Sequence, residues 1–351
     1  MFKRLNKFYY VCTIHSNMSE KRKPKLSDIA EKAGVSIALV SYVLNNRHPD
    51  RIKKETADKI RAIAKELNYR PNPLAKGLKT NKSGAIGIIL ADLANPFSAQ
   101  IARIIEDNVR LQNYILLIGS MDEDPEKFKN LVDTFTQYQV EGMIVVPCEA
   151  CMKEIENIKQ QGTPYVLIDR YFPSQSFNYI ANDNYYSTVT CVNKLVEEGK
   201  KHIGFITQKT DYFHLQERTR GFLEASKNHG LNTDGKVKEV SISDIDTNTS
   251  NAIKELMEEN PELDAILFAT NIFTLAGLKY ANQHNLKVPE DIQIMGYDEV
   301  EYYDIFPAPI SYYKQPLEIM GKKAVDFLIA QINDPNNKSI QEIIKGELVT
   351  V

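Results

Sequence analysis

The stretch at 26–45, LSDIAEKAGVSIALVSYVLN, constrains the fold more than any other part of the chain, because it predicts two short helices joined by a tight turn. Its first half places Leu26, Ile29, Ala30 and Ala33 at helical spacing, and Ser27 is positioned to cap this helix. Gly34 follows at the point where a residue that tolerates positive φ ends a helix without strain. The turn is therefore three or four residues long.

The second helix of this stretch begins after Ser36, which is placed to cap it. One side of the helix is lined by Leu39, Val40, Val43 and Leu44. The opposite face does not need to be buried. The residues of that outer face are Ile37, Ala38, Ser41 and Tyr42. This geometry is a helix-turn-helix, whose second helix fits the major groove of DNA. Two small helices around a glycine also occur in helical bundles that never touch DNA, and spacing alone leaves that alternative open.

The distribution of charge favours the nucleic-acid interpretation. Residues 21–82 carry sixteen Lys or Arg and six Asp or Glu, a net charge of +10, whereas the whole chain has a net charge of −3. The first twenty residues carry +2, so residues 83–351 sum to −15. A basic end attached to an acidic body is typical of a protein that brings one part of its surface to phosphates.

An ordered set of motifs resembles the lactose-repressor (LacI/GalR) family of bacterial transcription regulators. The motifs are DIAEKAGVS, VSYVLN, LNYRPNPLAKGLK and SGAIGIIL, and the resemblance extends from about Pro24 to the end of the chain. It implies a DNA-binding headpiece followed by an effector domain similar to periplasmic sugar-binding proteins. The DNA contacts expected in the helix-turn-helix are Ser27, Ser36, Ile37, Ala38, Ser41, Tyr42 and Asn45. Ile37 and Ala38 suit thymine methyl groups, and Tyr42 suits a base or a phosphate.

The organisation expected from the sequence has four parts. Residues 1–23 form a tail that we expect to be disordered, 24–69 the headpiece closed by a third helix at about 53–68, 70–83 a linker, and 84–351 the effector and dimerisation domain. The apolar run at 8–14 imitates a signal peptide but lacks a cleavage site, and Met18 is an alternative start. No stretch reaches the length that spans a bilayer, and the four cysteines are too scattered for a disulfide framework, so we expect a cytoplasmic, nucleoid-associated protein.

The linker at 70–83 contains two prolines that forbid continuation of the third helix, and composition alone is compatible with a plain linker. The resemblance implies instead a hinge helix that lies in the minor groove of the operator. Asn72 would cap this helix, Leu78 would be the wedge between base steps, and Leu74 and Ala75 would be its neighbours.

From Ala85 onwards short apolar runs alternate with helical stretches. The first series is IGIIL, YILLIG, GMIVV and YVLID, and the second is HIGFI, KVKEVSI, AILFAT and IQIMGYD. Two such series predict an α/β fold with two doubly wound parallel-sheet lobes, one at about 84–182 plus 314–340 and the other at about 183–313 plus 341–351. Ligands of such folds bind beyond the carboxyl ends of the strands, in the crevice between the lobes.

Several side chains follow the ends of these strands and are candidates for binding an effector. They are Phe97, Cys148, Asp169, Arg170, Tyr212, Arg218, Asn271, Asp298 and Gln315. The resemblance places the matches of Asp169, Arg218, Asn271, Asp298 and Gln315 around the effector. Carboxylates together with Arg, amides and an aromatic platform suit a polyol, so a sugar or sugar derivative is the leading expectation. Thr270-Asn271 stands where family members often carry a pair ending in Asp, which weakens the transfer of any particular sugar.

Each of these residues also has a structural interpretation, since strand-end Asp and Arg often form caps or ion pairs. An enzyme would need a nucleophile with its base, a metal cluster or a phosphate loop, and the sequence has no GxxxxGK[ST], GxSxG or HExxH motif. The lone Cys148-Glu-Ala-Cys151 pair is weak evidence for metal or redox sensing. A periplasmic binding protein would have a signal peptide and no headpiece. We therefore expect no enzymatic activity, no cofactor and no metal.

The resulting hypothesis is a repressor that binds as a homodimer to the two half-sites of a pseudo-palindromic operator. Binding of the effector between the lobes would change their angle and the spacing of the two hinge segments. The direction of the response stays open, because an inducer and a corepressor use the same parts.

Overall fold

The computed structural model describes residues 24–47, 49–70 and 83–351, which form two compact units on either side of the gap at 71–82. The tail at 1–23 and the hinge residues Asn72, Leu74, Ala75 and Leu78 lie outside the described residues, so our expectations for them stay predictions.

In its described residues the first unit contains three α-helices, α1 (Leu26–Ala33), α2 (Ile37–Leu44) and α3 (Lys54–Glu66). Ile29, Val40 and Ile60, one from each helix, are completely buried in its core. Gly34 has a φ of 70° and ends α1, and the hydroxyl of Ser36 accepts the amide of Leu39 at 3.2 Å. The helix-turn-helix geometry and the cap of its second helix are therefore as the sequence predicts.

The start of α1 differs from the prediction, since Ser27 does not cap it. The helix begins at Leu26, and the amide of Lys25 donates to the Asp28 carboxylate at 2.7 Å. Asp28 stands at the third helical position, from which a carboxylate reaches back to the residue before the helix. Because that interaction fixes the start two residues earlier than a Ser27 cap would, Ser27 falls inside the first turn, 3.3 Å from the other Asp28 oxygen.

The first lobe of the second unit is a six-stranded parallel sheet. In the described residues its strands are β1 (Ala85–Leu90), β2 (Ile115–Ser120), β3 (Gly142–Val145), β4 (Tyr165–Ile168), β5 (Tyr179–Asn182) and β11 (Gln341–Ile344), in the order β11-β5-β4-β3-β1-β2. Its helices are α4 (Pro96–Leu111), α5 (Pro125–Gln137), α6 (Met152–Gln160) and α12 (Leu317–Asn333). The inner strands are apolar and buried throughout, as expected where helices cover both faces of a sheet.

The second lobe repeats this plan. Its described strands are β6 (Ile203–Gln208), β7 (Val237–Val240), β8 (Ala265–Phe268), β9 (Gln293–Tyr297), β10 (Ser311–Lys314) and β12 (Glu347–Val349), in the order β12-β10-β9-β8-β6-β7. Its helices are α7 (Asn184–Glu197), α8 (Phe213–Asn228), α9 (Ile245–Glu259), α10 (Asn271–Gln283) and the short α11 (Tyr302–Ile305). The pairing of β10 with β12 is antiparallel, and the other pairs are parallel. Two doubly wound lobes are confirmed.

The C-terminal segment corrects one detail of the expected lobes. We placed 341–351 in the second lobe, but β11 pairs with β5 of the first lobe and only β12 joins the second sheet. Each of these strands covers the otherwise open edge of a sheet, where unpaired backbone groups are a liability. No helix of the described residues combines the length and the apolarity that crossing a membrane requires.

Candidate functional site

The outer face of α2 is exposed, as the helical spacing predicts. Ile37 and Tyr42 expose 52% and 42% of their surface, and Ala38 beside them is exposed as well. Val40 and Val43 are buried on the opposite side of the helix. A folded headpiece therefore presents two apolar side chains and one hydroxyl on the helix that would enter a groove.

The ends of α2 and its flanks are polar. Ser41 is half-buried, Ser36 and Asn45 are exposed, and the Asn45 amide donates to the Ser41 carbonyl at 2.8 Å. Exposed basic side chains follow the helix at Arg47, Arg51, Lys53 and Lys54. Cationic and hydroxyl groups beside a recognition helix suit contacts with phosphates, which fix the register of a protein on DNA.

A second polar cluster lies between the two lobes and is built around two aspartates. Asp169 directly follows β4 and Asp298 directly follows β9, so the two lobes contribute equivalent positions. Both residues are 6% exposed and have left-handed backbones, with φ of 69° and 66°. The amide of Asp298 donates to the carbonyl of Tyr313 at 2.9 Å, which ties this corner to β10.

Burial raises the pKa of both aspartates. The pKa of Asp169 rises from 3.8 to about 6, although the nearby guanidinium groups of Arg170 and Arg218 oppose the shift. The pKa of Asp298 is also raised by burial, against the effects of Arg218 and of the hydrogen bond from Gln315. Carboxylates that are incompletely compensated in a cleft are typical of binding sites, because a ligand completes their environment.

Arg218 on α8 is the cation whose charge lowers the pKa of both aspartates. Its Nε donates to the Asn184 side chain at 2.9 Å and one Nη donates to the Ala269 carbonyl at 2.5 Å. Its guanidinium carbon lies 3.7 Å from the centroid of the Tyr297 ring. The residue is only 3% exposed, so the orientation of its side chain is fixed before any ligand arrives.

Two amides complete this cluster. Gln315 donates to an Asp298 oxygen at 2.7 Å, and Asn271 donates to the Asn95 side chain of the first lobe at 2.9 Å. The side-chain oxygens of Asn271 and Gln315 are buried and accept no hydrogen bond from the described residues. Buried acceptors of this kind are costly unless a ligand or water supplies a donor.

Arg170 is paired with a residue that the sequence analysis did not identify. Both of its terminal nitrogens donate to the carboxylate of Glu123, at 2.9 and 2.7 Å. The hydroxyl of Tyr212, from the second lobe, donates to the same carboxylate at 2.5 Å, and its ring lies under the Arg170 guanidinium. We call Glu123, Arg170 and Tyr212 the Glu123 cluster. Glu123 comes from the polar turn after β2, which gave no signal in the sequence.

His214 and Asn184 were also missed. His214 is buried beside Tyr212, and burial together with Arg170 and Arg218 lowers its pKa well below 6.5. The imidazole is therefore neutral at physiological pH and offers one donor and one acceptor. The clue available in sequence was its position one turn before Arg218 on the same helix.

Cys148 and Phe97 have different surroundings. Cys148 lines a cavity of about 220 Å³ together with Arg170, Tyr212 and His214. It forms a disulfide with Cys151, a pairing that we did not expect. The disulfide is possible because the turn between the two residues brings their Cα atoms to 5.2 Å. Phe97 is packed in the first-lobe core. Its role as a stacking surface for an effector stays a prediction.

A larger cavity of about 500 Å³ shares no lining residue with the first. Asp298 and Gln315 line it, together with Gln100 and Arg103 of α4 and Lys314 of β10. The structure thus brings together, between the lobes and beside these two cavities, Asp169, Arg170, Tyr212, Arg218, Asn271, Asp298 and Gln315. Within the ranges that the structure describes, three or more His, Cys, Asp or Glu side chains nowhere converge as metal ligands.

Comparison with known proteins gives two matching family models. Residues 25–72 match "Bacterial regulatory proteins, lacI family", and 192–350 match "Periplasmic binding protein-like domain". Together the two models cover more than half of the chain.

Curated relatives match over nearly their whole length. The chain is 28% identical to a probable HTH-type transcriptional regulator, EndR, of Paenibacillus polymyxa, over 91% of this chain and 94% of that protein. It is 27% identical to the HTH-type transcriptional repressor CytR of Escherichia coli K12, over 92% and 94%.

Solved structures share the fold. A lac repressor dimer bound to operator and the anti-inducer ONPF has a TM-score of 0.78 at 23% identity, over 94% of this chain and 98% of that one. A complex of the transcriptional regulator CelR with cellobiose has a TM-score of 0.69 at 22% identity, over 93% and 98%. With a lacI-type helix-turn-helix, a periplasmic-binding-protein-like body and full-length relatives that regulate transcription, this chain belongs to the lacI family of DNA-binding transcriptional regulators.

Proposed function

We propose that this protein is a homodimeric repressor that binds a pseudo-palindromic operator. Its affinity for the operator falls or rises when a sugar binds between the lobes. The observation that carries the DNA-binding half is the outer face of α2, where Ile37, Ala38 and Tyr42 stand exposed above a buried apolar stripe. Ser27, Ser36 and Asn45 add polar contacts at the ends of the two helices, and Ser41 adds one within α2. The hinge contacts at Asn72, Leu74, Ala75 and Leu78 rest on the family resemblance.

The sugar is supported by the chemistry between the lobes. Asp169 and Asp298 accept hydrogen bonds from vicinal hydroxyls, and Arg218 donates to ring or hydroxyl oxygens. The unpartnered oxygens of Asn271 and Gln315 add two further acceptors. The CelR protein, whose fold this chain shares, was solved as a cellobiose complex, which agrees with a carbohydrate in such a cleft.

The homodimer is supported by apolar side chains that stand exposed at the sheet edges. In the first lobe Ile115 and Ile118 of the edge strand β2 expose 65% and 48% of their surface, next to Leu111 at the end of α4. In the second lobe Leu223 and Ile242 are exposed. A second copy of the chain covers these residues by two-fold symmetry, which matches the symmetry of a pseudo-palindromic operator.

The allosteric link is supported by hydrogen bonds that cross the cleft. Asn271 donates to Asn95, Gln100 donates to the carbonyl of Glu299 at 2.8 Å, and Tyr212 donates to Glu123. A ligand that takes over one of these partners changes the angle between the lobes. Because the hinge segments precede β1, that change alters their spacing across the dimer axis.

One experiment tests both halves. Selection of DNA from a random duplex library with the full-length chain should yield a two-fold symmetric sequence, and gel shifts with that sequence should respond to a panel of sugars. A selected sequence without symmetry would contradict the dimeric repressor. A symmetric sequence whose binding no sugar changes would leave the DNA-binding half intact and contradict the sugar effector.

A further inference from the structure

We propose that Glu123 sets the charge selectivity of the effector cleft, so that the cleft accepts an uncharged, hydroxyl-rich ligand and rejects anionic sugars. This inference rests on the proposed sugar-binding function and names the class of sugar. It starts from the state of Arg170 and Arg218, the two arginines whose charges act on Asp169.

Arg170 is already saturated by an acid within the chain. Its two terminal nitrogens form a bidentate pair with the Glu123 carboxylate, at 2.9 and 2.7 Å, which is the geometry in which arginine binds a carboxylate ligand most strongly. The Tyr212 ring covers one face of the guanidinium, 4.4 Å from its carbon atom. Of its nitrogens only Nε is left without a hydrogen bond in the described structure, 3.8 Å from an Asp169 oxygen. Glu123 thus stands where an acidic ligand would have to bind.

Glu123 is held in its charged form. Burial on its own raises the pKa of a carboxyl group, but the hydrogen bonds and charge of Arg170 and the hydrogen bond from Tyr212 outweigh it, so the pKa of Glu123 is lowered. The carboxylate therefore stays ionised at the pH of a cell. Displacing it costs two charge-assisted hydrogen bonds and the bond to Tyr212.

Arg218 is also committed to partners within the chain. Its Nε and one Nη donate to Asn184 and to the Ala269 carbonyl, and its plane stacks on Tyr297. The charge of Arg218 already compensates Asp169 and Asp298 in part, because it lowers the pKa of both against the larger effect of burial. The two cations that line the larger cavity, Arg103 and Lys314, are also paired, with Asp107 at 3.3 Å and with Glu299 at 2.9 Å. A carboxylate or phosphate brought into the cleft would therefore face two buried aspartates and Glu123, and each cation near it already has a carboxylate or hydrogen-bond partner within the chain.

The cleft instead lacks hydrogen-bond donors. The side-chain oxygens of Asn271 and Gln315 are buried, belong to residues less than 6% exposed, and have no partner among the described residues. Asp169 and Asp298 add acceptors whose ionised forms are incompletely compensated. Hydroxyl groups satisfy such acceptors without adding negative charge, and an anionic group does not.

Matched pairs of sugars test this selectivity on the full-length chain. We would titrate D-glucose against D-glucuronate and D-galactose against D-galacturonate calorimetrically, using the wild-type chain, Glu123→Gln and the control Glu126→Gln. Glu126 is exposed in the first turn of α5, three residues away, so its variant removes the same charge outside the cleft. We expect the neutral member of a pair to bind the wild type at least about tenfold more tightly, a difference of about 1.4 kcal/mol. Glu123→Gln should reduce or invert this ratio, and Glu126→Gln should leave it unchanged.

A second measurement does not depend on finding the right sugar. Glu123→Ala leaves the Arg170 guanidinium without its carboxylate, so acetate should raise the melting temperature of this variant more than chloride at the same ionic strength does. The wild type should not distinguish the two salts.

Three outcomes would overturn the inference. They are a uronate that binds the wild type as tightly as its neutral partner, an unchanged ratio in Glu123→Gln, and an equal effect of acetate on Glu123→Ala and wild type. If no sugar of either kind binds while the chain still selects symmetric DNA, the sugar assignment of the proposed function fails, and the acetate measurement still decides the role of Glu123.

Discussion

Replacing Asp169 by asparagine should stabilise the ligand-free protein at neutral pH and have little effect at pH 4. An asparagine keeps the shape of the side chain and, like aspartate, tolerates the left-handed backbone at φ 69°, so the change isolates the charge. The pKa of Asp169 is about 6 in the folded protein against 3.8 as the reference for the unfolded chain. Between these values the unfolded chain loses the proton while the folded protein keeps it.

The sign and size of the effect follow from linkage. A carboxyl group whose pKa is raised by folding favours the folded state below 3.8 and loses that contribution as the pH rises towards 6. A rise of the pKa from 3.8 to about 6 corresponds to about 3 kcal/mol of stability. Part of this stability is already lost at pH 4, so the wild type loses about 2 to 3 kcal/mol between pH 4 and pH 7. The free energy of unfolding of Asp169→Asn minus that of the wild type should therefore increase by this amount between pH 4 and pH 7.

Urea unfolding followed by near-UV circular dichroism at a fixed protein concentration measures this difference. The tyrosines report mainly on the two lobes, and the fixed concentration makes the contribution of assembly the same for wild type and variant. Asp133→Asn, on the exposed side of α5, is the matched control, because it makes the same substitution outside the cleft. A difference that stays constant from pH 4 to 7, or that shrinks, would refute the assignment of Asp169 as a buried carboxyl group with a raised pKa.

Two further predictions concern function. Arg218→Ala should abolish the effector response in a gel shift, while the protein still melts cooperatively. The control Arg220→Ala removes an exposed arginine from the same helix and should retain the response. An intact response in Arg218→Ala would mean that the effector binds elsewhere. Leu78→Ala should reduce both the operator affinity and the DNA bending seen by gel mobility, because a smaller side chain no longer wedges between base steps. Unchanged bending would exclude the intercalating role of Leu78.

The sequence was sufficient for the headpiece because its signals are local. Helical spacing, the glycine at Gly34 and the cap at Ser36 lie within a single short stretch, and each acts through the backbone next to it. The sequence misplaced the start of α1, because Ser27 and Asp28 are both competent at a helix start and only the observed bond from Lys25 to Asp28 distinguishes them. Errors of one or two residues at helix ends are expected when several neighbouring residues can start a helix.

The two lobes were also predictable, since inner parallel strands are continuous apolar runs. The strands that were missed, β5, β10, β11 and β12, are short and lie at or near sheet edges, where burial does not demand an unbroken apolar run. The pairing of β11 with β5 joins residues about 160 positions apart, and nothing in a local window indicates it. Each part of the C-terminal segment therefore joins the sheet whose edge strand was open, β11 beside β5 and β12 beside β10.

In the cleft, the sequence by itself determined which side chains follow the strand ends, because the carboxyl ends of parallel strands meet at one edge of each sheet. Asp169, Arg218, Asn271 and Asp298 were selected as candidates in this way, Gln315 was selected from the return crossover, and the family resemblance placed all five around the effector. Only the tertiary structure decided how these groups are paired. Glu123 comes from the turn after β2 and reaches Arg170 in its own lobe and Tyr212 in the other, over 47 and 89 positions of sequence. The charge available to a ligand depends on such long-range pairs, and these are set by the packing of whole lobes, which no local pattern of residues encodes.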